Sequence, residues 1–340
     1  MIQIAIVGGG VAGAYCALQL AKSGLRPTIF DHSHPREKPC GGLVSPEALK
    51  WFPLLEQLKI EHTERKRLYF VSPSGKKICV HLRKERVFGF SRLELDECLL
   101  KTAVDKGSEL IEERVTSVER KNDLWQVKTQ GQTYFAKNLI GADGVNSIVR
   151  KEIIGPLDLK DKGICFGYFV KGLENEEITV NFSPYRKGYI WVIPRLQSTS
   201  IGIGCSEIKF SNGLKKELDV FIQHNFPEAK RISKWVALIP NIKSQKAFRA
   251  PLAGTNWILI GDAAGHASPS SGEGILYALL DGELAAQALR FEKPWMFNML
   301  WRQTYGMAFF LDIKMRNWIY KKGFCELYCK YLKLDYMIRL

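Results

Sequence analysis

Residues 2–23 constrain this chain more than any other stretch. Ile2, Ile4, Ile6 and Val7 form a short β-branched run with almost no polar interruption, the pattern of a strand buried on both faces of a parallel sheet. Glycine then takes over at Gly8, Gly9, Gly10 and Gly13. In a Gly-x-Gly-x-x-Gly turn after a strand, the first glycine allows the tight turn, the second lets a phosphate approach the backbone, and the third lets the next helix lie against the strand. The spacing predicts that helix over Val11 to Lys22, stopping at Gly24. Its N-terminus offers free N–H groups to a pyrophosphate. Asp31 closes the following strand, Leu25 to Asp31, where a carboxylate can accept hydrogen bonds from an adenosine ribose.

Downstream, a loop over His32 to Ser45 carries Lys38-Pro39-Cys40-Gly41-Gly42-Leu43. Two glycines after a cysteine permit close approach of the backbone to a flat or charged ligand, and the thiol is either a weak acid there or a buried structural cysteine. Residues 67–90 read as a hairpin, Leu68 to Val71 and Ile78 to Val80, around a Pro-Ser-Gly turn. Ser91 to Lys106 reads as a helix with Ser91 as N-cap and Glu94 completing a capping box. Arg92 sits in its first turn, a cation that its apolar neighbours do not explain unless it is simply solvated.

A meander follows, with strands expected at Val115 to Arg120, Leu124 to Thr129, Thr133 to Lys137 and Asn138 to Ile140. It runs into Gly141-Ala142-Asp143-Gly144, with Ser147 and Arg150 beyond, either a plain turn or a second approach to a pyrophosphate. Residues 162–250 predict an antiparallel layer: strands at Ile164 to Val170, Ile178 to Phe182, Tyr189 to Ile193, Ser200 to Cys205 and Trp235 to Ile239, with a helix over Leu214 to Asn225. Strand periodicity puts Tyr189 and Trp191 on one face, where they either line an apolar ligand tunnel or pack the core. Trp257 to Ile260 is another buried strand. It enters Gly261-Asp262-Ala263-Ala264-Gly265-His266 and then an apolar helix, Ile275 to Leu289, so the physics of the opening stretch is repeated. His266 has no partner visible in sequence and reads as a loop histidine.

The tail from residue 293 to 340 is aromatic and basic, with rings such as Trp295, Trp301, Trp318 and Tyr328 among cations such as Lys314, Lys321, Lys322 and Lys330. Such helices rest in a bilayer interface or supply rings to a protein core. At 340 residues, 46% hydrophobic and 25% charged, the chain suits two closely packed soluble domains. Its net charge of +14 favours anionic partners, and no nucleic-acid-binding signature accompanies it. Eight scattered cysteines without a C-x-x-C pair, and an N-terminus that enters directly into a strand, predict a cytoplasmic protein, free or at the inner face of the membrane. No metal-ligand cluster is expected.

Three glycine signatures in one chain, Gly8-x-Gly10-x-x-Gly13 with Asp31, Gly141-Ala-Asp143-Gly144 and Gly261-Asp262-Ala-Ala-Gly, resemble the FAD-dependent para-hydroxybenzoate hydroxylase superfold. Lys38-Pro39-Cys40-Gly41-Gly42, Tyr189-x-Trp191-x-x-Pro194-Arg195 and the Pro269-x-x-Gly272-Glu273-Gly274 run resemble the geranylgeranyl reductase family, over roughly residues 1–295. The resemblance implies an α/β fold: a Rossmann-like FAD-binding domain (1–66, 91–160 and 251–292), an inserted antiparallel α+β substrate domain (67–90 and 161–250) and a C-terminal helical segment (293–340). It implies FAD as cofactor, with Gly8, Gly10, Gly13, Ala12 and Asp31 meeting the ADP half, Arg92 the pyrophosphate region, Val115 the adenine through its backbone, and Asp262 the ribityl hydroxyls. Gly274 and Ile275 would face the flavin edge, Gly41 and Gly42 would cover the ring, and Tyr189 and Trp191 would line the substrate tunnel. Cys40 is the candidate beside the reacting centre.

The implied activity is hydride transfer from flavin N5 to an isolated double bond of a prenyl lipid or quinone. The family usually has Phe and Lys where this chain has Ile193 and Arg195. With no second dinucleotide-binding stretch, the reductant, NAD(P)H or a ferredoxin-like donor, must dock transiently. A flavin monooxygenase or halogenase on the same fold, and a membrane-peripheral flavoprotein without turnover, are the competing readings.

Overall fold

The β-branched run of residues 2–7 forms the first strand and the glycines end it, as the spacing predicts. The computed structural model describes residues 1–174, 176–321 and 323–327. In chain order the first strands are β1 (Ile2–Val7), β2 (Thr28–Phe30), β3 (Leu43–Val44), β4 (His62–Arg65), β5 (Arg67–Val71), β6 (Lys77–His81), β7 (Val87–Phe90) and β8 (Glu109–Ile111). They are followed by β9 (Val115–Lys121), β10 (Leu124–Thr129), β11 (Thr133–Gly141), β12 (Lys162–Lys171), β13 (Ile178–Ser183), β14 (Gly188–Pro194), β15 (Thr199–Cys205), β16 (Lys230–Pro240) and β17 (Trp257–Leu259). The helices are α1 (Val11–Lys22), α2 (Pro46–Trp51), α3 (Leu54–Gln57), α4 (Arg92–Asp105), α5 (Ile148–Ile154), α6 (Leu214–Asn225), α7 (Gln245–Arg249), α8 (Ile275–Arg290), α9 (Phe297–Trp301) and α10 (Met307–Ile319).

The chain divides into two compact units, one of residues 1–36, 93–161 and 240–312, the other of 37–92, 162–239 and 313 onward. The first unit holds a sheet ordered β8-β2-β1-β11-β10-β9, with β17 also paired to β11. β1 is parallel to β2 and to β11, and β11, β10 and β9 form the antiparallel meander. The break expected between Lys137 and Asn138 is absent. β11 pairs with β1 from Ala136 through Gly141, which carries it straight through that polar pair. α1 and α8 lie side by side, where a Cβ on Gly282 would meet the Ala12 carbonyl oxygen and the Cys16 nitrogen, each at 3.0 Å. Only a glycine lets the two helices come so close.

The second unit is built on a sheet ordered β16-β12-β15-β14-β13-β5-β6, with a small sheet, β3-β7-β4, beside it in the chain. Strand alternation sorts its two faces. Ile190 and Val192 join Ile201, Ile203 and Leu218 in the core under α6, while Tyr189, Trp191 and Ile193 join Phe169 and Trp235 on the opposite face. Glycines make room for the large rings there: a Cβ on Gly202 would meet the Trp191 ring at 2.2 Å, and one on Gly167 the Trp235 ring at 2.3 Å.

Two boundaries differ from expectation. Residues 37–66 belong with the second unit, because their hydrogen bonds run to its strands: the Thr63 hydroxyl donates to the Pro194 carbonyl (2.8 Å) and the Ser200 hydroxyl to the Cys40 carbonyl (3.2 Å). The tail through Asp312 belongs with the first unit. There Phe297, Trp301, Tyr305 and Phe309 are buried, whereas Trp295, Met299, Met307 and Leu311 are exposed. A π turn, Arg302–Gly306, joins α9 to α10. Lys322, Tyr328, Lys330 and Lys333 lie outside the described residues. Among the described residues, no helix is long and apolar enough to cross a membrane.

Candidate functional site

Parallel register levels the carboxyl ends of four strands in the first unit. Val7 pairs with Phe30 of β2 and with Gly141 of β11, and Gly141 pairs with Leu259 of β17. Gly8, Asp31, Ala142 and Ile260 therefore emerge along one edge. This is where open α/β sheets bind ligands, beside a strand whose two neighbours lead to different parts of the chain. The Gly261 turn reaches the same place, since a Cβ on Gly261 would lie 3.0 Å from that of Ala12 in α1.

The first glycine turn fits a pyrophosphate. Gly8 has φ +104°, and a Cβ on Gly13 would sit 1.9 Å from the Gly8 carbonyl oxygen, so both glycines are demanded by the protein itself. Gly10 differs: a Cβ there would meet nothing closer than an Asp96 oxygen at 3.9 Å. The space it leaves lies at the N-terminus of α1, where no side chain caps the first amides, and orphan N–H groups with a positive dipole end suit a bridging phosphate.

Asp31 is the anchor of this turn. Its Oδ2 accepts from the Gly9 N–H at 2.7 Å, and its Oδ1 accepts from the Ser33 N–H (2.7 Å), the Ser33 hydroxyl (2.9 Å) and the His34 N–H (3.2 Å). Oδ2 keeps a lone pair for a ribose hydroxyl. The His34 ring is buried between two carboxylates, Nδ1 3.0 Å from Asp31 and Nε2 3.5 Å from Asp96. Burial alone would raise the Asp31 carboxyl, but His34 and the Gly9 and Ser33 amides hold it well below the usual carboxylate range. For His34 burial works downward, and the two carboxylates overcome it and raise the imidazole above its ordinary value. A cleft of about 180 Å³ opens beside His34, lined by Leu100, Val104, Leu110 and Lys101. Val115 is buried at the start of β9 and Arg92 at the head of α4.

The second glycine motif does not present its charges to a ligand. Asp143 accepts from the Ser147 hydroxyl and from the Ile148 (2.7 Å) and Val149 (3.2 Å) amides, so it caps α5. Burial still raises its carboxyl above the ordinary value. Arg150 is buried and its Nη1 donates to the Ala263 carbonyl at 3.1 Å. Where the sequence leaves a plain turn and a second approach to a pyrophosphate both open, Arg150 supplies a brace that ties the second motif to the third.

In the third motif the Gly261 N–H donates to Asp281 Oδ2 at 2.7 Å, and the His266 N–H returns to the Gly261 carbonyl at 3.0 Å. Asp262 follows, half-buried, with one oxygen 3.7 Å from where a Cβ on Gly274 would stand. Gly274 precedes α8 without a side-chain cap, so Ile275 opens a 16-residue helix with unclaimed amides. His266 does lie on the loop before α8, but it is not a solvated loop residue. It is buried, with Nδ1 2.8 Å from Asp281 and 2.7 Å from the Tyr305 hydroxyl, and its ring lies against Trp301. Burial, then the Asp281 carboxylate, raises the Tyr305 phenol well above its ordinary value. The sequence signal for this cluster is an acidic residue, Asp281, after the apolar first turns of α8.

In the second unit the cysteine loop is fastened at several points. Glu37 pairs with Arg195 (2.7 Å) and also accepts from the Ser91 hydroxyl (2.6 Å) and the Arg92 N–H (3.1 Å). The Ser91 hydroxyl, just before α4, thus donates to Glu37. Trp191 donates its indole N–H to the Ser200 hydroxyl (3.2 Å), which donates to the Cys40 carbonyl, and the Gly42 N–H reaches the Cys40 sulfur at 3.3 Å. A Cβ on Gly42 would strike the Phe90 carbonyl oxygen at 2.0 Å, and one on Gly41 the Ile193 side chain at 2.5 Å. Tyr189 and Trp191 meet edge to face at 5.9 Å, and Trp191 stacks on Trp235. Nearby, burial pushes the Cys165 thiol up to about 12, which keeps it inert.

Residues 1–167 match the family model described as an FAD binding domain. A geranylgeranyl diphosphate reductase of Rhodobacter capsulatus is 30% identical over 308 residues, covering 83% of this chain and 73% of that protein. The chain belongs to the geranylgeranyl reductase family. A digeranylgeranylglycerophospholipid reductase of Methanococcus vannielii is 26% identical, with 96% of this chain and 88% of that protein covered. The solved structure of a geranylgeranyl bacteriochlorophyll reductase-like protein from Thermoplasma acidophilum shares the fold at a TM-score of 0.81 and 22% identity, over 99% of this chain and 91% of that one. A flavin-dependent brominase shares it at 0.74 and 17%, over 98% and 93%. This geranylgeranyl reductase family member is an FAD-dependent oxidoreductase, and its Gly10 space, uncapped α1 and Asp31 lone pair fit the ADP half of that cofactor.

Proposed function

We propose that the protein reduces carbon–carbon double bonds of a prenyl lipid or quinone of geranylgeranyl type. Bound FAD, once reduced, supplies a hydride from N5 to one alkene carbon, and the other carbon takes a proton. An isolated alkene has no carbonyl to absorb charge, so orientation in dry, apolar surroundings must supply much of the rate. The observation that carries this reading is the aromatic face of the second unit's sheet, where Tyr189, Trp191, Phe169 and Trp235 gather on one side. Tyr189 and Trp191 line the prenyl path, and Cys40 donates the proton from its half-buried thiol.

The cofactor roles follow the family pattern residue by residue. Gly8, Gly10, Ala12 and Gly13 receive the pyrophosphate with Arg92, Asp31 the ribose, and the Val115 backbone the adenine. Asp262 takes the ribityl hydroxyls, the Gly274 and Ile275 amides stabilise negative charge on the flavin edge, and Gly41 and Gly42 cover the ring. NAD(P)H or a ferredoxin-like protein reduces the enzyme by transient docking. The exposed row Trp295, Met299, Met307 and Leu311, in a chain of net charge +14, rests on an anionic bilayer surface.

The test is anaerobic. Dithionite-reduced holoprotein mixed with a geranylgeranyl lipid should reoxidise its flavin while the lipid gains one H2 per double bond by mass spectrometry. Oxygen uptake coupled to product would move the reading to a monooxygenase or halogenase, which the brominase fold accommodates. A flavin that no donor couples to alkene loss would make the protein a non-catalytic flavoprotein.

A further inference from the structure

The His266, Asp281 and Tyr305 cluster is a buried titratable group that the proposed chemistry leaves unused. Tyr305 is 7% exposed, His266 3% and Asp281 0%, so none of the three side chains is placed to touch a substrate. The cluster is nevertheless internally complete. Asp281 Oδ2 accepts from the Gly261 N–H at 2.7 Å and lies 2.8 Å from His266 Nδ1, and Asp281 Oδ1 accepts from the Tyr305 hydroxyl. An Nδ1–H imidazole is the tautomer that satisfies both oxygens. A neutral Ser or Asn could have accepted from Gly261. A buried carboxylate is tolerated only with such partners around it, and in return its bonds to N–H groups are short and strong.

We propose that Asp281, clamped by His266 and Tyr305, is the positioning residue for the Gly261-Asp262 turn, and that it sets how tightly the protein holds the riboflavin half of FAD. The turn is confined from both sides, by Asp281 at the Gly261 amide and by Arg150 at the Ala263 carbonyl. Gly261 has φ +60° and its Cβ position lies 3.0 Å from Ala12, so it has little room to find another conformation. Asp262 is the next residue, and its carboxylate can be aimed only as well as Gly261 is fixed. The inference rests on the reading of Asp262 as the ribityl ligand.

The experiment compares FAD and ADP affinities, by titration of apoprotein, across four variants. ADP probes the Gly8 to Gly13 cradle with Asp31 and Val115 but not the Asp262 turn, so it reports whether the unit remains folded. Asp281→Ala should weaken FAD by roughly tenfold to a hundredfold, the loss of one charge-assisted bond, with ADP affinity unchanged and faster amide exchange at residues 261–265 of the apoprotein. Asp281→Asn, which keeps an acceptor for Gly261, should recover part of that loss. Tyr305→Phe removes only a hydroxyl and should weaken FAD about threefold to tenfold, so it serves if Asp281→Ala does not fold. Asp262→Ala tests the underlying reading, and unchanged FAD affinity there would remove both it and the proposal. Weakened FAD in Asp262→Ala beside unchanged FAD in Asp281→Ala and Tyr305→Phe would overturn the positioning role alone. Parallel loss of FAD and ADP affinity in both Asp281→Ala and Tyr305→Phe would reduce the cluster to a folding element and equally overturn it.

Discussion

Replacing Asp31 with Asn changes almost no volume, yet it should damage the nucleotide cradle, because both carboxylate oxygens accept hydrogen bonds. Oδ1 serves two amides and a hydroxyl, and Oδ2 serves the Gly9 amide at 2.7 Å. The amide oxygen of Asn must stay where the donors crowd, which turns its NH2 toward the buried Gly9 N–H. Losing that charge-assisted bond costs about 1.5–3 kcal/mol. Leaving a buried donor against a donor adds about 1 kcal/mol, so the apoprotein should lose roughly 3 kcal/mol in a urea melt at pH 7 with an unchanged slope. FAD affinity should fall further than stability alone explains, since the lone pair meant for the ribose has become an N–H. An Asp31→Asn apoprotein within about 0.5 kcal/mol of the parent, with unaltered FAD affinity, would refute the assignment of Asp31 as the anchor.

Other expectations follow from the same geometry. The His34 and Asp31 pair should give the apoprotein a stability plateau between the ordinary carboxylate and imidazole values, about 3.9 and 6.5. Its contribution fades as pH falls through the lowered Asp31 pKa and as pH rises through the raised His34 pKa, and His34→Gln should flatten the alkaline limb in pH-resolved melts. Gly10→Ala should leave the apoprotein melt nearly unchanged while abolishing FAD uptake by absorbance, whereas Gly13→Ala, whose Cβ would meet the Gly8 carbonyl oxygen at 1.9 Å, should destabilise the apoprotein itself. Trp191→Phe removes the N–H that orients Ser200 toward the Cys40 carbonyl. It should retain FAD and slow alkene reduction roughly tenfold, and full activity in single-turnover assays would separate Trp191 from the reaction. Cys40→Ser should retain FAD and slow the same step, with unaltered turnover removing the thiol from it.

Local regularities made most of this fold readable. The β1 turn and α1 follow from a contiguous pattern, and α6 and the alternation along β14 follow from periods of helix and strand that need no distant information. The pockets of Trp191 and Trp235 rest on glycines inside strands, Gly202 and Gly167, whose purpose only the cross-strand neighbours reveal. What escaped was long-range polar pairing. Glu37 meets Ser91, 54 positions away, and Asp281 meets Tyr305 across 24, and no periodicity links such residues. Arg150, a cation after a glycine turn, left a plain turn and a phosphate contact equally open. The carbonyls it holds instead belong to a turn more than a hundred positions later.

The seam where α1 and α8 touch links the two glycine-bounded turns that precede these helices. A Cβ on Gly282 would meet α1 backbone at 3.0 Å, so this position limits how near the helices lie; on the proposed reading the leading end of α1 meets the pyrophosphate and that of α8 the flavin edge. A bulkier residue at that position would wedge the pair apart and loosen both ends together without altering any atom that faces the ligand. A substitution remote from the cofactor can thus change its retention, in evolution or by design.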